Sequence, residues 1–185
     1  MVAVSAMTSM LDEALALAEC GFAVFPLHPR TKTPATEHGF KDATTDVSQI
    51  RAWWAKTPDA NIGIATGEAS GGLVVIDIDV DETKGKNGML ALRAWQNEHA
   101  SLPPTLSATT GRGGTHLYFR ISEPRKNTTN AEKSVDIRAD GGYVVAPPSV
   151  HENGSEYRWD APFDAGMIAE ADANTLAFVD SLYMR

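Results

Sequence analysis

Residues 73–81 constrain the fold of this chain more than any other segment. They read LVVIDIDVD, an apolar run that changes into strict alternation of aspartate with isoleucine or valine. Such a pattern predicts a central β-strand, in which successive side chains point to opposite faces of the sheet. Asp77, Asp79 and Asp81 are therefore expected on one face, with the apolar residues between them on the other.

Three carboxylates this close together repel one another unless solvent or a cation relieves the charge. A hard divalent cation such as Mg²⁺ or Mn²⁺ prefers oxygen ligands, so this face is a candidate metal site. A strand whose outer face is simply exposed to solvent explains an aspartate pair equally well. A calcium-binding loop is disfavoured, because it needs glycine and glutamate where the sequence has Glu82 and Gly88.

A second polar element is the glycine-rich segment GRGGTH, residues 111–116, followed by the strand-like LYF. Glycines let a backbone approach a phosphate closely, Arg112 supplies a fork of donors, and His116 lies where the strand begins. The segment is therefore a candidate triphosphate site. Taken alone, a glycine-rich hairpin turn followed by a hydrogen-bonded histidine is the commoner explanation.

A third polar element lies in residues 134–148, which read SVDIRADGGYVVAPP. If Val135 and Ile137 face the core, Asp136 and Arg138 share the opposite face of the same strand. A surface ion pair is the alternative reading. Three polar elements, each beside a strand, thus offer carboxylates for metals, donors for phosphate and one further carboxylate.

Length and composition favour one soluble domain over residues 1–185, because 185 residues with 43% hydrophobic content can bury a single core. No apolar run is long enough to cross a membrane and no secretory signal is recognisable, which favours the cytoplasm. Cys20 is the one cysteine, so no zinc is expected. A net charge of −8 argues against a broad basic surface for nucleic acid.

Local patterns predict an α+β domain with a mixed sheet that helices cover on one side. Helices are predicted to start at Ser9, where Asp12 completes a capping box, and at Asp46. Trp53 and Trp54 are expected in the core, with base stacking as the alternative. Further helices are predicted over residues 87–99 and 165–183, and strands over residues 22–27, 62–66, 73–80, 107–109, 117–121, 135–138 and 143–146.

Several motifs together resemble one protein family, the bifunctional primase-polymerase domains of phages, plasmids and mobile elements. The motifs are GFAVFPLHPRTKTP, GFKDATTD, NIGIATG, the strand ending in DID, GGTHLYF and VDIRADGGYVVAPPS, and they extend from Ala14 to Trp159. The resemblance implies an archaeo-eukaryotic primase-like catalytic core, with an RRM-like mixed sheet and an added N-terminal α/β unit. It implies DNA primase-polymerase activity, that is, metal-dependent and template-directed nucleotidyl transfer to a 3′-hydroxyl.

The family motifs also imply a set of site residues. The catalytic residues would be Asp77, Asp79, His116 and Asp136, and the three aspartates would hold two Mg²⁺ or Mn²⁺ ions. The expected nucleotide-binding residues are Arg112, Gly113, Gly114, Thr115, His116, Thr66, Gly67, Arg138 and Tyr143, and Lys32 is a candidate contact for DNA or phosphate.

The implied partners are template DNA, a primer, deoxynucleoside triphosphates and, when priming, ribonucleoside triphosphates. The chain would be the N-terminal part of a longer replication protein, with any helicase or helical priming domain outside this sequence. Two other classes of function stay open on the residues alone. One is a metal-dependent nuclease or glycosyltransferase, and the other is a non-catalytic nucleic-acid-binding module.

Overall fold

A computed structural model of the chain describes residues 8–184, so residues 1–7 and residue 185 of the expected domain lie outside the described part. The helices within it are α1 (Met10–Glu19), α2 (Val47–Lys56), α3 (Gly88–Glu98) and α4 (Ala173–Ser181). The strands are β1 (Val24–Leu27), β2 (Asn61–Ala65), β3 (Leu73–Ile78), β4 (Val80–Asp81), β5 (Lys86–Asn87), β6 (Ser107–Thr109), β7 (Thr115–Arg120), β8 (Thr128–Asn130), β9 (Val135–Arg138), β10 (Tyr143–Ala146), β11 (Arg158–Trp159) and β12 (Ala169–Glu170).

Seven strands form a large sheet in the order β11-β6-β7-β3-β9-β8, with β12 beside β7. The strand β3 lies in the middle and runs antiparallel to both of its neighbours, β7 and β9. The pair β12 and β7 is parallel, so the sheet is mixed as predicted. The α+β class expected from the sequence is confirmed.

A small antiparallel sheet has the order β1-β2-β10. The chain passes from β9 of the large sheet to β10 of the small sheet through residues 139–142. This link is tight, because the Gly142 N–H donates a hydrogen bond of 3.0 Å to the carbonyl of Ala139. It brings Arg138 and Tyr143, the residues on either side of it, to the same cavity.

The helix starts predicted from local sequence are confirmed. The Ser9 hydroxyl accepts the Asp12 N–H at 3.1 Å, and the Asp12 carboxylate accepts the Ser9 N–H at 3.2 Å, which completes the capping box. The Asp46 carboxylate caps α2 by accepting the Ser48 N–H at 2.9 Å. No helix within residues 8–184 is both long and apolar enough to span a membrane.

One face of the large sheet packs against α3 and α4. Ile76, Ile78, Val135 and Ile137 are fully buried there. Burial of each such side chain contributes about 1.5–3 kcal/mol relative to exposure. Because side chains alternate along a strand, this packing fixes the polar residues of β3 and β9 on the other face.

The other face of the large sheet is partly covered by α1, α2 and the small sheet. Their apolar side chains form one continuous core with Val75 and Tyr118 of the large sheet. The helices α3 and α4 thus cover one face of the large sheet, as predicted, while α1 and α2 pack mainly against the small sheet. Trp54 is buried in this core and its indole N–H donates to the Ala60 carbonyl at 3.0 Å, while Trp53 is half-buried beside it.

The helix predicted over residues 165–183 is wrong in its first part. Ala165–Met167 is a short 3₁₀ turn and β12 follows it, so α4 begins only at Ala173. The reason is a cap, because the Asp172 carboxylate accepts the N–H of Thr175 at 2.7 Å and starts the helix there.

Candidate active site

Three polar side chains form a row across the middle of the large sheet. Asp77 of β3 lies directly opposite His116 of β7 on one side and opposite Asp136 of β9 on the other. Directly opposite residues of antiparallel strands project from the same face, so the three side chains are neighbours. We call these three residues the polar row. His116 is 4% exposed and Asp136 is 7% exposed, so these two residues of the polar row are buried.

The carboxylate oxygens of the polar row are bound by groups of the chain itself. For Asp77, Oδ1 lies 3.3 Å from Nε2 of His116, and Oδ2 lies 3.5 Å from Nε of Arg138. For Asp136, Oδ2 lies 2.6 Å from Nη2 of Arg138, and Oδ1 accepts the Asn130 N–H at 3.2 Å. Asp136 and Arg138 share a face, as the sequence predicts, and they form the ion pair that was the alternative reading, with Asp136 buried and Arg138 partly exposed.

The two carboxylates of the row have pKa values shifted in opposite directions. Burial alone would raise the pKa of Asp77, but the contacts with His116 and Arg138 outweigh it and lower the pKa to about 2. Burial raises the pKa of Asp136, Arg138 offsets this only in part, and the charges of Asp77 and Asp79 raise it further. Asp77 therefore carries a negative charge at neutral pH that neighbouring cations stabilise.

Asp79 lies beside the row but just beyond the regular strand. β3 ends at Ile78, and the Asp79 N–H donates to the carbonyl of Ser134 at 2.9 Å. Its carboxylate is 39% exposed and lies 3.5 Å from Nζ of Lys86. Asp79 and Asp77 line the same cavity, so the structure brings this predicted pair together. Of the two side chains, Asp79 is the more exposed to solvent.

Asp81 does not line the cavity of Asp77 and Asp79, although the alternating sequence predicts all three aspartates on one face of a strand. Its carboxylate caps the turn at Thr83 and pairs with Nη1 of Arg112 at 2.7 Å, outside the cavity around Asp77. Arg112 also pairs with Glu152 at 3.1 Å. This predicted phosphate ligand is therefore held by two carboxylates, while Thr115, another predicted contact, is half-buried at the start of β7.

Two residues of the polar row, Asp77 and His116, line a cavity of about 210 Å³, which we call the central cleft, whereas Asp136 lies outside its lining. Its lining joins the large sheet to the link between the two sheets and to neighbouring loops. The lining residues include Asp77, Asp79, His116 and Arg138 of the sheet, Asn127, Gly142 and Tyr143 beside the link, and Lys32, Thr110, Arg112, His151 and Tyr157 from neighbouring segments.

The glycine-rich segment forms the hairpin turn between β6 and β7. The Gly113 N–H donates to the Thr110 carbonyl at 2.9 Å, and Gly113 has a φ of +82° that favours glycine. At Gly114, a Cβ atom would collide with the carbonyl oxygen of Ile78. Close backbone packing thus accounts for Gly114, and the hairpin reading of this segment is confirmed.

Thr66 and Gly67 pack against the link between the two sheets. The buried Thr66 hydroxyl donates to the Ala139 carbonyl at 2.7 Å, beneath Gly142 of the cleft wall. Gly67 packs against the backbone of Asp140 and does not line the central cleft. Their position in the family motif therefore has a structural explanation, and a nucleotide contact for either stays a prediction.

Tyr143 and Lys32 meet at the rim of the cleft. The Tyr143 hydroxyl donates to the Lys32 carbonyl at 2.7 Å, which ties β10 to the loop after β1. The Tyr143 ring packs edge-on against Phe25 at 5.3 Å and stacks on Phe40 at 6.1 Å. The ring is thus held by packing on one side while it lines the cleft on the other.

The sequence reasoning missed His151, a second histidine of the cleft. The residue is 6% exposed, and its Nδ1 accepts the N–H of Asn153 at 3.1 Å. In the neutral ring the proton is therefore on Nε2, which can donate a hydrogen bond to a ligand. A Cβ atom at Gly111 would collide with His151, and Asn153 donates to the Gly111 carbonyl at 2.9 Å, so this loop is locked onto the hairpin turn.

Tyr157 and Asn127 were also missed. Tyr157 is 2% exposed, and burial together with the charge of Asp77 raises the pKa of its hydroxyl. The Asn127 Oδ1 is buried beside Gly142 without a hydrogen-bond partner among the described residues. Both lie in irregular segments, where no periodic pattern signals which way a side chain points.

The carboxylates around the cleft suit a hard divalent cation in kind, because such ions take oxygen ligands. As the side chains stand, no group of three or more acidic, histidine or cysteine residues within residues 8–184 is arranged to hold a metal ion. The guanidinium of Arg138 contacts both Asp77 and Asp136. A cation bound at the polar row would neutralise the carboxylate charges of Asp77 and Asp136 in place of Arg138.

Comparison with known proteins adds one finding. A family model described as "bifunctional DNA primase/polymerase, N-terminal" matches residues 14–173. A search of curated proteins finds no match to the chain. The matched range contains every residue of the polar row and of the central cleft.

Proposed function

The chain belongs to the family of bifunctional DNA primase/polymerase N-terminal domains, and we propose that it transfers a nucleotide from a nucleoside triphosphate to the 3′-hydroxyl of a primer paired with template DNA. The 3′-hydroxyl loses its proton to solvent as its oxygen forms a bond to the α-phosphorus, the bond from that phosphorus to the bridging oxygen breaks, and pyrophosphate leaves carrying that bridging oxygen. The polar row at the central cleft is the observation that carries this proposal.

Asp77, Asp79 and Asp136 would hold the divalent cations of the reaction. When bound, Mg²⁺ or Mn²⁺ would polarise phosphate oxygens and favour the ionised form of the attacking hydroxyl. The chain contributes the positions of the ligands, because Asp77 and Asp136 are fixed by adjacent strands. Asp79, at the end of β3, supplies the exposed carboxylate that a cation reaches first.

Donors for the triphosphate surround the carboxylates. His116 and His151 each present a ring to the cleft, and Arg112 lies at its rim. We expect Arg112 to exchange its carboxylate partners for phosphate oxygens, which a guanidinium binds in the same forked geometry. The backbone near Gly113 is open to solvent and can approach a phosphate closely.

A second cavity of about 470 Å³ adjoins the cleft at Asp79. It concentrates basic side chains in a chain whose net charge is −8, and this local patch suits the phosphates of a primer, a template or a bound nucleotide. The basic residues that line it are Arg30, Lys32, Lys84, Lys86 and Arg112.

We further propose that residues 1–185 form one catalytic domain of a longer phage or plasmid replication protein that acts in the host cytoplasm. The large sheet would be the RRM-like sheet of archaeo-eukaryotic primases, and the segment from α1 to β2 their N-terminal α/β unit. A helicase or helical priming domain would then be supplied outside these residues.

Primer extension tests the proposed function directly. A labelled primer on a longer DNA template is incubated with the protein, one nucleotide type and either Mg²⁺ or Mn²⁺. We expect stepwise lengthening that requires the templated nucleoside triphosphate and stops when a chelator is added. Omitting the triphosphate is the matched control, since every other component stays.

Other outcomes of the same assay separate the alternatives. Primer shortening without any nucleotide requirement would identify a nuclease. Tight DNA binding with no metal requirement and no change of primer length would identify a non-catalytic binding module. Either result would overturn the proposed transfer reaction.

Tyr143 is the candidate for selection of the sugar, because its ring lines the cleft at the start of β10, next to Gly142 of the cleft wall. If the ring contacts the position where a 2′-hydroxyl projects, Tyr143→Ala will narrow the preference for deoxynucleotides over ribonucleotides. We expect a change of at most a few kcal/mol in discrimination. The measurement is kcat/KM for both nucleotide classes.

Tyr143→Phe is the matched control, because it keeps the ring and loses only the hydrogen bond to the Lys32 carbonyl. This variant should keep the deoxynucleotide preference of the unmodified protein. An unchanged preference in Tyr143→Ala would instead leave Tyr143 with a packing role alone, beside Phe25 and Phe40.

A further inference from the structure

The guanidinium of Arg138 occupies the middle of the carboxylate cluster. Its Nη2 lies 2.6 Å from Oδ2 of Asp136, and its Nε lies 3.5 Å from Oδ2 of Asp77. The Arg138 side chain is 27% exposed, and the two carboxylates are 10% and 14% exposed. A single positive charge thus bridges two set-in negative charges on adjacent strands.

Each oxygen of these two carboxylates already has a partner within the chain. His116 and Arg138 take the two oxygens of Asp77, and Asn130 and Arg138 take the two oxygens of Asp136. Arg138 contacts Oδ2 of Asp77 and Oδ2 of Asp136, so its guanidinium bridges the two carboxylates. A cation that joins these carboxylates needs the place where the guanidinium now lies.

We propose that Arg138 is a resident counter-ion of the metal site, which a divalent cation displaces when it binds. The inference rests on the proposed function, since it takes Asp77 and Asp136 as ligands of the cation. While no cation is bound, Arg138 relieves the repulsion between the carboxylates and keeps them in position. Metal binding then competes with an internal ion pair, so Arg138 lowers the affinity of the chain for the metal.

Displacement gives Arg138 a second partner. The residue lines the central cleft together with Gly142 and Tyr143, the wall that we assign to the nucleotide. A guanidinium released from carboxylates forms charge-assisted bonds to phosphate or sugar oxygens. Metal and nucleotide should therefore bind cooperatively, and by linkage each should raise the affinity of the other by the same factor.

A purely structural ion pair between β3 and β9 makes the opposite prediction for the metal. If Arg138 only held the carboxylates in place, its loss would disorder them and weaken metal binding. An increase in metal affinity when the charge of Arg138 is removed therefore indicates a counter-ion, and a decrease indicates a purely structural ion pair.

The test is calorimetric titration of the whole protein with Mn²⁺ alone, before any nucleotide is added. A neighbouring charge changes the proton affinity of a carboxylate by about one to three powers of ten, and we expect a comparable effect on Mn²⁺. Arg138→Gln should therefore bind Mn²⁺ at least about tenfold more tightly than the unmodified protein. Arg138→Lys keeps the charge and should stay close to the unmodified affinity, and Arg138→Met, which also removes the charge, replaces Arg138→Gln if that variant does not fold.

Arg120→Gln is the matched control. Arg120 belongs to β7, and its guanidinium donates to the carbonyls of Ser70 and Gly71. It is four residues along the strand from His116, about 13 Å at the usual rise, so its charge is largely screened from the row. Its Mn²⁺ affinity should match that of the unmodified protein.

A second titration, with a deoxynucleoside triphosphate at saturating Mn²⁺, completes the test. Arg138→Gln should bind the nucleotide about tenfold more weakly, because a charged hydrogen-bond donor is lost. Unchanged or weaker Mn²⁺ binding by Arg138→Gln, with normal melting, would overturn the counter-ion role. Primer extension by the unmodified protein would then still support the proposed function, so the two failures are distinguishable.

Discussion

Replacing Asp77 and Asp79 together by asparagine will abolish nucleotide incorporation and leave the chain folded. Both side chains line the central cleft, and both carboxylates are proposed ligands of the catalytic cations. Loss of metal-ion stabilisation costs several kcal/mol in a transition state, so incorporation should fall by at least about 10³-fold. Single-turnover primer extension with Mn²⁺ measures this loss.

The fold should survive because asparagine keeps the volume of each side chain. Asp136 remains as the partner of Arg138 at 2.6 Å, so no guanidinium is left without a carboxylate. Melting should shift by only a few degrees, as expected for about 1 kcal/mol or less. A double variant at the exposed Asp59 and Glu98 removes the same charge and should extend primers normally. Normal extension by the Asp77 and Asp79 variant, with intact melting, would remove these residues from the site.

The face that each polar residue of the site occupies could be predicted from the sequence. Because side chains alternate along a strand, Asp77 points to the face opposite Ile76 and Ile78. By the same rule, Asp136 points to the face opposite Val135 and Ile137. These predictions hold because they depend on neighbours in the chain, within a strand that packing against α3 and α4 holds in place. The capping box at Ser9 and the helix start at Asp46 were predictable for the same local reason.

The register that joins the strands could not be predicted from the sequence. Asp77 meets both His116 and Asp136, yet these residues follow it by 39 and 59 positions in the sequence. Register is chosen by the packing of whole strands and by the hairpin turns, so a short motif does not contain it. The family resemblance groups these residues, but the pairing of Asp77 with both neighbours is visible only in the sheet.

Loop residues were hidden for a different reason. His151 reaches the cleft because its segment is tied to other parts of the chain, by Asn61 to the carbonyl of Val150 at 2.7 Å and by Asn153 to Gly111. Irregular segments carry no period that reports the direction of a side chain. Two glycines of the GRGGTH segment are likewise explained by close contacts, with His151 at Gly111 and with Ile78 at Gly114, that the sequence does not show.

Replacing His116 by alanine will weaken binding of the nucleoside triphosphate and slow its transfer, while template DNA binding stays about unchanged. One ring nitrogen, Nε2, lies 3.3 Å from Oδ1 of Asp77. The other, Nδ1, is buried with no hydrogen-bond partner among the described residues, an arrangement that costs about 1–3 kcal/mol until a partner arrives. Loss of a donor aimed at developing charge typically lowers turnover by about 10²–10³-fold.

Two conservative variants show which nitrogen of His116 acts. The amide nitrogen of glutamine can occupy the place of Nε2 and keep the contact with Asp77, whereas that of asparagine can occupy the place of Nδ1. If both ring nitrogens carry a proton, so that Nε2 donates to Asp77 and Nδ1 to the triphosphate, His116→Asn will retain more nucleotide affinity than His116→Gln, although both keep a polar side chain. His99→Ala, which removes an exposed histidine that stacks on Trp95, is the control and should titrate like the unmodified protein. Unaltered triphosphate affinity in His116→Ala, measured by calorimetry, would leave His116 as a positioning residue for Asp77 and move the phosphate contact to His151 and Arg112.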